Sequence, residues 1–178
     1  MVTKWLSSLR LREDNLFLRA VIQEEPFNAQ SETARIRDFS DKIGGIVSFL
    51  GVVRDLNEGN EVKSLFLEHY PGMTERQLEE IARAACDRWN VLAISIIHRI
   101  GRLHPNDDIV FVGVGSEHRA EAFMACEYIM DYLKTNAAFW KKEQSVNGSR
   151  WLVTRDNDLK AANRWTSDSV SPDNEAEY

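Results

Sequence analysis

IVFVGVG (Ile109–Gly115), followed at once by SEHRAEAFMACEYIMDYLK (Ser116–Lys134), decides how the chain is read. The first segment is an uninterrupted apolar run rich in β-branched side chains, which suits a strand buried on both faces. Ser116 is an N-cap residue type. The stripe Phe123, Cys126, Met130 and Leu133 behind it predicts a helix with one apolar face. Working outward, Val91–Ile100, Ile46–Val53 and Leu16–Ile22 read as further strands. Val62–Tyr70 is another, although Val62, Leu65, Leu67 and His69 alternate imperfectly. Asn28–Asp41 is predicted helical on the partial support of Ala34, Ile36 and Phe39. The clearest helix carries Leu78, Ile81, Ala82, Ala85 and Trp89. Thr74, with Gln77 three residues later, reads as the capping box that opens it. Asp55–Asn60 and Gly101–Asp108 have turn chemistry. Phe139–Ser145 and Arg150–Arg155 flank Asn147-Gly148, a hairpin signal, and a short helix follows to Trp165. Strands outnumber helices and several are joined by short turns. The expectation is an α+β fold, a mixed, largely antiparallel sheet with packed helices.

A chain of 178 residues corresponds to about one domain and can bury a core without disulfide or metal staples. The longest charge-free run, Ile43–Val53, has 11 residues against the roughly 20 a membrane helix needs. Met1–Asp14 reads as an N-terminal extension, 15–165 as the domain, and 166–178 as a disordered acidic tail holding Asp168, Asp173, Glu175 and Glu177. The net charge of −6 argues against general nucleic-acid binding. Between Tyr132 and Arg155 the balance reverses: Lys134, Lys141, Lys142, Arg150 and Arg155 face Glu143 alone. That cationic zone suits an anion, or is a solvated basic face. Cys86 and Cys126 have neither disulfide nor zinc spacing. A reducing, cytoplasmic setting without a metal is expected.

Ser116-Glu117-His118-Arg119 lies where a strand gives way to a helix, so free N–H groups and the positive helix end meet two basic side chains. A capped helix with an exposed Arg fits the same residues. Lys134 ends that helix and shares a face with Met130. It either complements the dipole or, beside other cations, acts in chemistry. Lys141 follows Phe139-Trp140, apolar neighbours that could hold it in a wall, while a cross-strand charge on the hairpin is the plainer reading. Arg54 stands at a sheet end, where loops and sites gather. His69, His98 and both cysteines read as structural.

Several blocks together resemble the large, catalytic subunit of molybdopterin synthase. They are Val47–Arg54, Phe66–Glu75 (FLEHYPGMTE), His98–Gly101, Ile109–Val114 with Ser116–Arg119, and Met130–Thr135 (MDYLKT) with Phe139–Glu143 (FWKKE). They keep the family's order and approximate spacing from about Phe17 to Trp165. The resemblance implies an α/β-hammerhead-like fold with a small β subdomain. It also implies an enzyme that inserts two sulfurs into cyclic pyranopterin monophosphate to make the dithiolene of molybdopterin, without a cofactor of its own. The sulfur comes from the C-terminal thiocarboxylate of a small ubiquitin-like partner, in a heterotetramer built on a central homodimer. By match to the family, Lys134 and Lys141 are catalytic. Arg54, His118, Arg119 and Arg155 bind the substrate and its phosphate, and Phe49 and Met130 shape the pocket. Val52 stands where a basic residue is common in the family. A non-catalytic adaptor for the same ubiquitin-like carrier is the competing reading, against which retention of both lysines speaks.

Overall fold

The apolar run at Ile109 forms the middle of a four-stranded sheet in the computed structural model, which describes residues 16–57, 60–145, 148–152 and 156–166. The extension Met1–Asp14, all of the acidic tail beyond Thr166, Asn147 of the hairpin turn and Arg155 lie outside the described residues. In chain order the elements are β1 (Phe17–Gln23), α1 (Ala29–Arg37), β2 (Gly45–Val52), β3 (Leu56–Asn57), β4 (Asn60–His69), α2 (Met73–Arg88), β5 (Val91–Arg99), β6 (Gly101–Leu103), β7 (Asp108–Ser116), α3 (Arg119–Thr135), β8 (Phe139–Ser145), β9 (Gly148–Leu152) and α4 (Asp156–Asn163). The first sheet runs β1-β5-β7-β2, with β1 parallel to β5 and the other pairs antiparallel. The second runs β3-β4-β8-β9, with β6 also on β4.

Both faces of β5 and β7 are covered, which explains their continuous apolar sequence. On one face α2 and α3 bury Leu78, Ile81, Ala82, Ala85, Ala122, Ala125, Ile129 and Leu133 against Ile94, Ile96, Val110, Val112 and Val114. On the other, Ile36 of α1 packs among Phe17, Ala93, Ile97 and Phe111. A Cβ at Gly113 would stand 2.5 Å from Ile36 Cδ1, so the glycine is what lets α1 lie flush on β7. A buried polar tie completes that contact. Ser95 Oγ donates to Glu32 Oε2 at 2.9 Å, and Arg19 Nε reaches the same oxygen at 3.2 Å.

Three local readings are corrected. The strand at Val62 alternates imperfectly because its pairing with β8 slips between Val62 and Ser64; a bulge moves the apolar phase by one residue. Phe123 is 61% exposed and off the buried stripe, which α3 builds instead from Ala122, Ala125, Cys126, Ile129 and Leu133. Thr74 and Gln77 do not cap α2. The helix starts earlier, at Met73, because Gly72 adopts a positive φ of 81°. Glu75 closes that end by accepting the Gly72 N–H at 2.6 Å. Among the described residues no helix is long and apolar enough to cross a membrane.

Candidate active site

The direction of α3 sorts the cationic residues. The strand β7 ends at Ser116, and α3 then runs back over β7 and β2. Its start lies at the Gly45 end of β2, where Arg119 Cα would be 3.7 Å from a Cβ on Gly45. Half-way along, the Cys126 thiol sits against the backbone of Phe49. Its last turn therefore reaches the Asp108 end of the sheet and delivers Lys134 there. Arg54 is at the same end, since the Val53 N–H donates to Asp107 O and the Asn106 N–H donates to Val53 O, each at 2.9 Å. At about 1.5 Å per residue, Arg119 and Lys134 are about 22 Å apart along the axis. His118 and Arg119, both exposed, occupy the far end of the protomer.

Lys141 joins the Lys134 end through β8, where it pairs with Leu67 of β4 on the face shared by Phe139 and His69. The Phe139 ring stacks on His98 with centroids 3.8 Å apart and planes 16° from parallel, which anchors the strand carrying Lys141 to the end of β5. His98 is buried, and because a carbonyl only accepts, its Nδ1 carries the proton donated to the Arg99 carbonyl at 2.8 Å, a bond that by itself favours the charged ring. Burial outweighs that bond and pushes its pKa down to about 3, and the nearby charges of Lys141 and His69 push the same way. The floor beneath Lys141 thus adds no competing cation.

This sets an acid sensitivity. The unfolded chain takes up a proton at His98 below about pH 6.5 and the folded chain does not, so stability falls as pH drops from 6.5 toward 3. The slope is about 1.4 kcal/mol per pH unit, or about 3 kcal/mol by pH 4.5. Urea unfolding of His98→Phe, which keeps an aromatic against Phe139, is expected to lose about that much less stability than the wild type between pH 7 and 4.5. An unchanged pH dependence would assign the acid sensitivity elsewhere.

The sequence profile described as MoaE protein matches residues 22–136. The chain belongs to the MoaE family. The molybdopterin synthase catalytic subunit of Ralstonia nicotianae is 51% identical over 144 residues, 81% of this chain and 82% of that one. A MoaE protein structure from Burkholderia ambifaria superposes with a TM-score of 0.72 at 45% identity, covering 84% of this chain and 99% of the other. The structure of molybdopterin synthase from Staphylococcus aureus gives 0.69 at 32% identity, covering 74% and 95%. The mixed, largely antiparallel α+β architecture expected from the sequence is the MoaE fold.

Of the site residues read from the sequence, this MoaE-family chain gathers Arg54, Lys134 and Lys141 at one end. Met130 is one turn before Lys134, and Phe49 is 41% exposed on β2. Arg155 lies outside the described residues. Cys126 is no nucleophile: burial foremost pushes its thiol up to about 11. Three features were not read from the sequence. One is the His98–Phe139 stack. Another is the hold of Thr74 and Gln77 on Ala138. The third is Asp131, whose Oδ2 accepts from Trp165 Nε1 at 2.8 Å and Arg164 at 2.7 Å, tying the end of the described chain to α3. The only local signal was for the second: a polar pair one turn apart at a helix start.

Proposed function

We propose that this chain is the catalytic subunit of a molybdopterin synthase. It transfers two sulfurs from the thiocarboxylated C-terminus of a small ubiquitin-like subunit to cyclic pyranopterin monophosphate, giving the dithiolene of molybdopterin. The observation that carries the reading is the convergence of Arg54, Lys134 and Lys141 on one end of the protomer, in a chain about half identical to proteins named as that catalytic subunit. Both guests are anions, and the sulfur arrives on the small subunit. The site therefore needs fixed cations and no reactive cysteine, consistent with the inert Cys126. The two lysines hold the thiocarboxylate and stabilise negative charge as sulfur attacks the pterin carbon and the cyclic phosphate opens. Water then cleaves the acyl–sulfur bond, leaving sulfur on the pterin and a carboxylate on the small subunit, and a second thiocarboxylated copy supplies the second sulfur. Arg54, His118, Arg119 and, by family resemblance, Arg155 take the phosphate, for which the guanidinium fork is suited. Phe49 and Met130 form apolar wall.

The 22 Å or so between Arg119 and Lys134 supports a site that one protomer does not complete. A homodimer does. The outer edge of β2 pairs with no strand among the described residues, and Phe49, Leu50 and Val52 on it and Phe123 on α3 are exposed. An open apolar edge of this length is a template for another strand. Two copies joined antiparallel through β2 bring the Gly45 end of one strand to the Val52 end of the other. His118 and Arg119 of the second copy then approach Lys134 and Arg54 of the first. A small subunit at each end of that dimer makes a heterotetramer.

The test is to mix the purified chain with thiocarboxylated small subunit and the cyclic precursor and assay for the dithiolene. Product that requires the thiocarboxylate supports the enzyme. A tight complex that yields no product supports the adaptor reading, in which the chain only binds the sulfur carrier.

A further inference from the structure

We propose that the first turns of α2 are a positioning clamp, in which Thr74 and Gln77 fix the loop that joins Lys134 to Lys141. The inference rests on the reading of both lysines given above. Lys134 is the penultimate residue of α3 and Lys141 the third of β8, so their relative position is set by the few residues between. Ala138 is held by both of its backbone groups. Its N–H donates to Gln77 Oε1 at 2.9 Å, and its carbonyl accepts from Thr74 Oγ1 at 3.2 Å. These partners are 61 and 64 residues away in sequence.

Thr74 is fully buried. It accepts the Tyr70 N–H at 3.1 Å, and its one proton is shared between the carbonyls of Tyr70, at 3.1 Å, and Ala138. The next residue, Phe139, is held from β5 by the stack on His98. On the other side, the Asn136 N–H closes α3 on Tyr132 O at 2.7 Å. Helix capping does not account for the contacts of Thr74 and Gln77 with Ala138, because Glu75 already satisfies the Gly72 N–H. Thr74 also bonds Tyr70 just ahead of its own helix, and both side chains reach the one loop whose geometry sets the spacing of the two ammonium groups. A misplacement of about 1 Å in such a pair is expected to cost on the order of 100-fold in rate. Thr74 and Gln77 are thus positioning residues that act through the lysines.

The test compares Gln77→Leu and Thr74→Val, which remove the bonds, with Gln77→Glu and Thr74→Ser, which keep an oxygen. The readouts are the single-turnover rate at saturating thiocarboxylated small subunit and precursor, the Kd for the small subunit, and hydrogen exchange at the Ala138 amide. Gln77→Leu is expected to slow the saturated rate about tenfold or more, to leave Kd within about twofold, and to speed exchange at Ala138, with Gln77→Glu restoring the rate. Should Thr74→Val not fold, the half-buried Gln77 pair decides. Wild-type turnover in Gln77→Leu overturns the proposal, as does a Gln77→Glu variant as slow as the leucine. Lys134→Ala runs in parallel. Unimpaired turnover there overturns the catalytic reading of the lysine, and the positioning inference falls with it.

Discussion

Lys134→Ala is expected to lower single-turnover dithiolene formation about 100- to 1000-fold at saturating small subunit and precursor, while the variant folds and still binds the small subunit. The magnitude follows from removing one preorganised charge aimed at a developing anion, about 3–4 kcal/mol of transition-state stabilisation. The fold survives because Lys134 is exposed on the last turn of α3, where a cation complements the helix dipole for at most about 1 kcal/mol. Lys134→Arg keeps the charge but replaces a compact, movable ammonium with a planar fork, so a partial loss is expected. A near wild-type rate for the alanine variant would remove Lys134 from the mechanism.

Mixing two dead variants is expected to revive activity. If Arg119 of one copy serves the Lys134 pocket of the other, Arg119→Ala and Lys134→Ala homodimers are each inactive at both sites. After subunit exchange at equal amounts, half of the dimers pair one variant with the other. Each mixed dimer carries one site with both lesions and one with neither, so about a quarter of wild-type turnover returns. The geometry behind this is the length of α3, which separates the two residues within a chain, and the β2 edge, unpaired among the described residues, through which the proposed dimer sets the second copy antiparallel. A mixture no more active than either parent, with exchange verified by mass, would put all the cations of each site on one chain.

Much of this was legible in the sequence, for physical reasons. Ile109–Gly115 announces itself because a strand covered on both faces has no polar residue to accommodate. The hairpin at Phe139 was visible, while its strand order was not. The short strands β6 and β3 were hidden inside stretches read as turns, because two or three residues show no period. Phe123 was misassigned because an apolar residue at helical spacing says nothing about whether its face meets the core or a neighbour. The cationic cluster was readable only as residue types in one stretch. That Arg54 joins it and His118 leaves it depends on which way α3 runs over the sheet. The Thr74 and Gln77 contacts escaped for a related reason: local spacing suggested a local partner, and the real one is 61 to 64 residues distant.

The rim of β2, unpaired among the described residues, also sets a race during biosynthesis. A newly folded single copy offers Phe49, Leu50 and Val52 along a ladder of backbone donors and acceptors that no strand of the described residues occupies. For the proposed homodimer, correct mating must outrun sticky encounters with unrelated nascent chains. Yield in a host cell should therefore climb with early self-association and drop when translation floods the compartment.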